Sequence, residues 1–334
     1  MKYLLPIYMF LFCLTACVQE IGELTEYEAP RLIVNSIFAV GDTTISVDVR
    51  MMGVTETRFV SDAQVTLRVN DGASYSLLPD ERFRTYRLND VRLSLQPGDR
   101  VEVYVQGGGQ HVSASSIVQQ PVIIAGMDTC TSSFPYNLNG MVYDHTRCLV
   151  HLQMPENVDD MQYYRVEVVR KINVFKSDAA LDSSATPGYS TGPLKYNFYY
   201  GYDPALHEGH QLPQEKNDHG YDWFDQDENY FAVFRSVFFE QGRYTLTLDL
   251  ERPNNTSAKQ SGWEQTSTIR VYTISRTEFE YYKVLSAFVD YEPGLIFNSE
   301  PVFPTNIEGG TGIFGVESKA EISLYEKHLP SYSL

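Results

Sequence analysis

Short alternating segments that end in turn-forming residues are the feature that most constrains how this chain can fold. Residues 43–51, 63–69 and 101–105 alternate apolar and polar side chains, which is typical of strands that bury one face. Clusters of Gly, Asn, Asp and Pro adjoin such segments at residues 41–42, 70–72, 97–99 and 107–109. These residue types favour tight turns, so each cluster can close a hairpin. The spacing predicts an antiparallel, immunoglobulin-like sandwich over residues 31–122.

The rest of the chain, residues 123–334, predicts a second β-rich domain with one C-terminal helix. Ser275 and Glu278 form a capping-box sequence, and apolar residues follow them at helical spacing. An irregular insert interrupts the domain over residues 176–229. The fold class predicted is therefore mostly β, in two domains of ordinary size. The strands of the second domain are expected at residues 149–154, 163–175, 230–239, 243–250, 266–274 and 320–325.

The first thirty residues predict export and a lipid anchor. Lys2 precedes an apolar stretch that fits a secretory signal and is too short to span a bilayer. Residues 14–17 spell LTAC, which reads as a lipobox and predicts a signal peptide over residues 1–16 with lipidation of Cys17. Residues 17–30 would then form an acidic tether between the membrane and the folded part. The alternative is an ordinary secreted protein that is cut near the same position.

Charge and cysteine content restrict the partners and cross-links of the mature chain. The formal net charge of −17 argues against nucleic acid, which binds clustered Lys and Arg. Apart from Cys17, the mature chain contains Cys130 and Cys148. Two thiols in an oxidising compartment predict a disulfide between them. A structural zinc site would need more ligands than this pair supplies.

Two parts of the chain carry a family resemblance. The run NIEGGTGIFG at residues 306–315, preceded by Tyr281 and Tyr282, resembles the closing signature of a Bacteroidota lipoprotein family, domain of unknown function 4249. Residues 32–34, residues 63–65 and the Pro-Gly turn that follows them are similar to the N-terminal part of that family. The resemblance implies an outer-membrane lipoprotein, often encoded beside a TonB-dependent transporter. It implies no catalytic residues.

Aromatic residues concentrate in and beside the insert. The candidates for ligand binding are Tyr199, Tyr200, Tyr202, Tyr221 and Trp223. Tyr and Trp offer large, rigid contact areas with a polar tip, so they suit glycans, peptides or a partner protein. The alternative is a strand over residues 196–202 that buries alternate rings, because β-propensity favours the same residue types.

Oxygen-bearing side chains alternate at the end of the insert. Asp225, Asp227 and Asn229 have the spacing of calcium ligands, and calcium is the one cofactor that the sequence suggests. Tyr230 stands where an EF-hand loop requires glycine, so the site would be of another type. A solvated acidic loop without a metal is the alternative.

Three motifs resemble functional sites but lack the context that their chemistry needs. Ser190 lies in a GYSTG sequence without the strand and helix of a nucleophile elbow. Residues 310–315 match a dinucleotide fingerprint, but no helix follows them. His207 and His210 are three apart in a Pro- and Gly-rich stretch, where a zinc protease helix needs a spacing of four. All three are expected to be structural or solvent-exposed residues.

These observations lead to a functional prediction without an enzymatic step. The leading hypothesis is a non-enzymatic outer-membrane lipoprotein that binds a ligand or serves a TonB-dependent transporter, with display on the cell surface as one option. A structural or adhesive cell-surface module is the alternative. A hydrolase or a metal-binding protein comes third.

Overall fold

The architecture is given by a computed structural model in which seventeen β-strands and one α-helix are described. The described residues are 30–53, 56–90, 93–136, 141–156, 158, 161–175, 187–190, 194–196, 203–207, 229–252, 262–289 and 302–328. Most of them lie in strands, and the predicted mostly β class with a single helix late in the chain is confirmed. Strands pair into one large mixed sheet and one smaller sheet of three strands.

Eight strands of the N-terminal half follow one another through short turns. They are β1 Arg31–Ala39, β2 Thr44–Met52, β3 Thr57–Phe59, β4 Gln64–Val69, β5 Ser74–Asp80, β6 Thr85–Asn89, β7 Arg100–Gly107 and β8 Gln110–Ile117. The predicted turns lie between strands of this set, and Asn70 and Asp71 adopt the positive φ values of 50° and 57° that a tight hairpin requires. Alternate side chains of these strands point inward and form the first hydrophobic core.

The C-terminal half supplies the remaining elements. They are β9 Ile123–Tyr136, β10 Met141–Gln153, β11 Tyr163–Phe175, β12 Pro187–Ser190, β13 Leu194–Tyr196, β14 Val233–Arg235, β15 Arg243–Glu251, β16 Trp263–Ile274, helix α1 Arg276–Val289 and β17 Thr311–His328. β11, β16 and the second half of β17 form one sheet, and β15, β10 and β9 form another. Their facing side chains build the second core. These two sheets form the second sandwich.

The last strand, β17, belongs to both halves of the molecule. From Thr311 to Glu317 it pairs parallel with β1, and from Ser318 to His328 it pairs antiparallel with β16. Its residues Phe314 and Val316 are buried in the first core. The predicted antiparallel N-terminal sandwich is therefore completed by a parallel strand from the far end of the chain, and the strand predicted at residues 320–325 is much longer.

Close backbone approach explains the glycines just before and at the start of β17. A Cβ on Gly310 would lie 2.6 Å from the carbonyl oxygen of Leu32, and one on Gly312 would lie 2.2 Å from that of Val34. Gly312 also has a φ of 113°, which side-chain-bearing residues rarely adopt. Gly312 lies within β17 and Gly310 directly precedes it, and the absence of side chains at both positions lets the strand pack against β1.

The N-terminal sheet curls until its last strand returns to this same segment. Ser113 in β8 exchanges two backbone hydrogen bonds with Glu308, at 3.2 and 2.8 Å, just before β17 begins. The backbone N–H of Val316 donates to the hydroxyl of Ser116, also in β8. The sheet therefore closes around its core through residues that are about 200 positions apart.

The predicted disulfide between Cys130 and Cys148 is not formed, and both residues are free thiols in the structure. In the β9–β10 ladder, Cys130 lies opposite Arg147, and Cys148 lies opposite Thr129. The two cysteines are thus offset by one position, and side chains one position apart point to opposite faces of a sheet. Burial raises the pKa of the Cys148 thiol to about 12, so this residue serves as a small apolar core residue.

The close contact between β17 and β1 predicts the effect of adding one methyl group. Gly312→Ala should lower the free energy of unfolding by about 2 kcal/mol or more, because it combines an unfavourable φ with a clash against backbone. Urea unfolding followed by circular dichroism measures the change. Gly126→Ala is the matched control, since the nearest atom to its Cβ would be 4.0 Å away. Equal stability of the two variants would contradict the role given to Gly312.

Candidate functional site

Most of the predicted site residues lie outside the described residues. These are Cys17, Tyr199, Tyr200, Tyr202, Tyr221, Trp223, Asp225 and Asp227. The chain is described again at residues 203–207 and 229–233, on either side of the segment 208–228. We call these two stretches the insert base, because they show how the insert joins the second sandwich.

A buried carboxylate, that of Asp203, fixes the first half of the insert base. One of its oxygens accepts hydrogen bonds from the backbone N–H groups of Ala205 and Leu206, at 3.0 and 3.1 Å, and from the Tyr244 hydroxyl at 2.8 Å. The other oxygen accepts from the backbone N–H of Thr247 in β15, at 2.7 Å. Burial raises the pKa of Asp203 more than these hydrogen bonds lower it. Asp203 therefore ties the turn at 203–207 to the edge of β15.

Asn229 fixes the second half of the insert base to the first. Its side-chain amide donates to the carbonyl oxygens of Leu206, at 2.7 Å, and Val233, at 2.8 Å. Its side-chain oxygen accepts from the backbone N–H of Val233 at 3.0 Å. The two ends of segment 208–228 are thus held side by side. The structure gives Asn229, predicted as a calcium ligand, a structural role in which its amide and its oxygen are engaged by backbone.

A group of packed aromatic rings in the second core adjoins the insert base. Phe234 lies on β14, shortly after Asn229 in the chain. The centroid of its ring is 5.1 Å from that of Tyr164. Phe239 stacks on Tyr164 at 5.4 Å and on Tyr244 at 5.5 Å. Tyr244 is also the residue whose hydroxyl donates to Asp203. Ring contacts of this kind stabilise beyond the area that they bury, so the insert base rests on a rigid part of the core.

A second concentration of polar residues lies where the two sandwiches meet. Arg165 on β11 forms a two-pronged ion pair with Glu317 on β17, with N–O distances of 2.9 and 2.6 Å. The Arg165 guanidinium lies over the ring of Tyr272, 4.1 Å from its centroid, and the hydroxyl of Tyr282 on α1 donates to Glu317. Arg165 and Glu317 are both buried. We call these four residues, together with Glu278, the junction cluster.

Glu278 brings a second carboxyl group to the junction cluster. It forms the predicted capping box, because its Oε2 accepts from the Ser275 N–H at 2.8 Å while its own N–H donates to the Ser275 hydroxyl at 3.2 Å. Its other oxygen, Oε1, lies so close to Gly315 that a Cβ on this residue would be only 2.0 Å away. Burial, and then the charge of Glu317, raise the pKa of Glu278 to about 7. Gly315 is therefore needed to accommodate this carboxyl group.

The motifs that resembled functional sites have ordinary positions in the fold. Ser190 is the last residue of β12 and pairs with Asn173 of β11. A nucleophile elbow would need a helix directly after this strand, and the described residues around Ser190 contain none. His207 lies in the turn of the insert base, and His210 is outside the described residues. Within the described ranges, no three His, Cys, Asp or Glu side chains are grouped so that they could hold a metal ion. No helix there has the length and apolar character needed to cross a membrane.

Sequence reasoning missed the residues that organise both polar sites. Arg165 lies on the face of β11 opposite the core residues Tyr164 and Val166, and nothing in the sequence indicated a buried ion pair there. That face is covered by α1, which no periodicity within β11 could reveal. Asp203 had a local signal, since Asp followed by Pro204 and backbone donors is typical of a turn.

A two-sandwich β protein with a buried ion pair at its junction is the class that this structure defines. The chain belongs to the family described as domain of unknown function (DUF4249), whose model matches residues 19–323. The resemblance seen in the sequence is confirmed as far as domain of unknown function 4249 is concerned. No curated protein gave a significant match.

The solved structures that this chain is similar to include two at low identity. A Salmonella alpha-2-macroglobulin variant is 10% identical over 90% of this chain, with a TM-score of 0.24. This chain spans 15% of the length of that macroglobulin. The B domain of a biofilm associated protein is 7% identical, with 87% of this chain and 85% of that domain covered and a TM-score of 0.15. Neither match bears on function.

The buried ion pair predicts that replacing Arg165 alone lowers the free energy of unfolding more than replacing both Arg165 and Glu317. Arg165→Met should lower the free energy of unfolding by about 3–5 kcal/mol, because it leaves the carboxylate of Glu317 buried beside Glu278 without its cation. Adding Glu317→Gln removes that isolated charge and should recover part of the loss. Urea unfolding of both variants measures the difference. A double variant that is less stable than Arg165→Met would contradict this account.

The raised pKa of Glu278 predicts a pH dependence with a defined sign. Between its ordinary pKa of 4.5 and about 7, the folded protein keeps a proton that the unfolded chain has lost. Stability should therefore fall as pH rises through this window and become level above it. Thermal unfolding at about pH 5 and about pH 8 should show a smaller difference for Glu278→Gln than for the unmodified protein. Equal differences would mean that Glu278 ionises normally.

Proposed function

We propose that this protein is a non-enzymatic lipoprotein of the bacterial outer membrane that presents segment 208–228 to a ligand or a partner protein. The partner we propose is a TonB-dependent transporter in the same membrane. Lipidation of Cys17 would hold the chain at the membrane, and residues 17–30 would connect the anchor to the first sandwich. The second sandwich would then carry the recognition segment.

The construction of the insert base is the observation that carries this proposal. Asp203 engages four donors, and Asn229 joins the two ends of the segment through Leu206. A loop whose ends are held together on a rigid scaffold is a common way to position binding residues, because less conformational freedom is lost on binding. The aromatic and acidic residues of the segment, Tyr221, Trp223, Asp225 and Asp227, would meet the partner.

The charge of the chain supports a protein partner or a neutral ligand. With a net charge of −17, the protein repels nucleic acid and anionic lipid headgroups unless cations are clustered. Tyr and Trp are enriched at protein interfaces and also bind glycans through ring faces. Calcium on Asp225 and Asp227 would be an additional element of recognition, since oxygen-rich loops bind this ion.

Removal of the segment tests the proposal without disturbing the scaffold. Replacing residues 208–228 with a short Gly-Ser linker should change the unfolding temperature by no more than about 3 °C, because the ends that it joins are already adjacent. The variant should still fractionate with membranes. It should no longer co-purify with a TonB-dependent transporter when the full-length protein is isolated from its native host in mild detergent.

A replacement elsewhere in the same sandwich provides the matched control. Residues 253–261, between β15 and β16, receive the same linker, and this variant should retain the transporter. Retention of the transporter by the 208–228 variant would refute the role of the segment. Its loss from both variants would indicate that the second sandwich binds through another surface, as an adhesive or structural module would.

A further inference from the structure

The strand β9 forms an edge of the second sandwich. In the three-stranded sheet the order is β15-β10-β9, so β9 pairs with β10 on one side. In the part of the chain that the structure describes, no strand pairs with its other side. β9 spans fourteen residues, which is long for an edge strand. Its outer backbone N–H and C=O groups are therefore available for a further strand.

The other edges of this sandwich are short or protected, and the strands that flank β11, namely β12, β13 and β14, have only four, three and three residues. The Asp203 carboxylate accepts the outward N–H of Thr247, so the insert base covers the edge of β15. The second half of β17 carries Lys319, Glu321 and Lys327, which are charges of the kind that discourage strand pairing. In contrast, the sequence of β9, IIAGMDTCTSSFPY, contains a single charged residue, Asp128. The middle of β9, residues 129–131, therefore lacks both kinds of protection.

The middle of β9 is accessible and nearly self-complementary. Residues 128–131 are all exposed, and Cys130 among them is a free thiol. If two β9 strands paired antiparallel about Cys130, Thr129 would face Thr131 of the other strand, and Asp128 would face Ser132. No like charges would meet in this register, and opposed threonines are a favourable cross-strand pair. A register centred on Asp128 would instead place two carboxylates opposite each other.

We propose that β9 pairs antiparallel with β9 of a second copy of this chain, centred on Cys130. The pairing would join two three-stranded sheets into a continuous sheet of six strands. Repulsion between two negatively charged copies is screened beyond about 8 Å at physiological ionic strength. The two Cys130 side chains would lie on the same face of the new sheet, with Cβ atoms about 4.5–5.5 Å apart.

Cross-linking of the full-length protein in mild detergent tests the register. A short bifunctional maleimide should produce a covalent dimer, and Cys130→Ser should abolish it. Light scattering on a sizing column should show a dimer before the reagent is added. A monomer by light scattering, or a cross-link that persists in Cys130→Ser, would overturn the proposal.

Charge substitutions at the two threonines distinguish loss of pairing from loss of folding. Thr129→Lys combined with Thr131→Lys places cations opposite each other and should abolish the cross-link. Thr129→Lys combined with Thr131→Glu places opposite charges together and should restore it, although the number of substitutions is the same. Ser323→Lys on the exposed edge of β17 is the control and should leave the dimer unchanged. Equal cross-linking of the two threonine variants would show that the strands do not pair in this register.

Discussion

The parallel pairing of β17 with β1 is the interaction on which the rest of the structure depends. It completes the first sandwich with residues from the end of the chain, and the same strand continues as the third strand of a sheet in the second sandwich. A continuous strand has no hinge, so the two halves share one backbone ladder. Only glycine fits at Gly310, just before β17, and at Gly312 within it, because a side chain at either position would meet the backbone of β1.

The junction cluster stands where β17 passes from one ladder to the other. Glu317 is the last residue of β17 that pairs with β1, and Arg165 reaches it from the second sandwich. Burying two charges costs desolvation free energy that their attraction only partly offsets, so the pair adds little net stability. An arrangement that separated Arg165 from Glu317 would leave both charges buried without a partner, which penalises other placements of the two sandwiches. The capping box of α1 brings Glu278 to the same point and couples the start of the helix to this junction.

How far the sequence predicts this structure depends on the range of the interactions involved. The hairpin at Asn70 and Asp71 and the cap at Ser275 were predicted correctly, because each rests on residues within one turn. The partner of β1 was not predicted, since nothing within residues 31–39 indicates a strand that begins at Thr311. A disulfide between Cys130 and Cys148 was predicted because the compartment is expected to be oxidising. In the β9–β10 ladder, however, the two residues are offset by one position. Arg165 was not predicted as a site residue, because alternation shows which side chains share a face but not what covers that face.

The same reasoning connects the insert base with the edges of the second sandwich. A sheet edge must be covered, charged or paired, because its backbone groups otherwise attract other strands. Asp203 satisfies an N–H of β15 and at the same time fixes the turn that precedes the segment 208–228, so one carboxylate protects the edge and holds the insert base. On the opposite side, β17 relies on charged side chains, and β9 has neither device over residues 129–131. The two interaction surfaces that we propose for the second sandwich therefore differ in kind, since one would use side chains of the segment that the insert base holds and the other would use the backbone of β9.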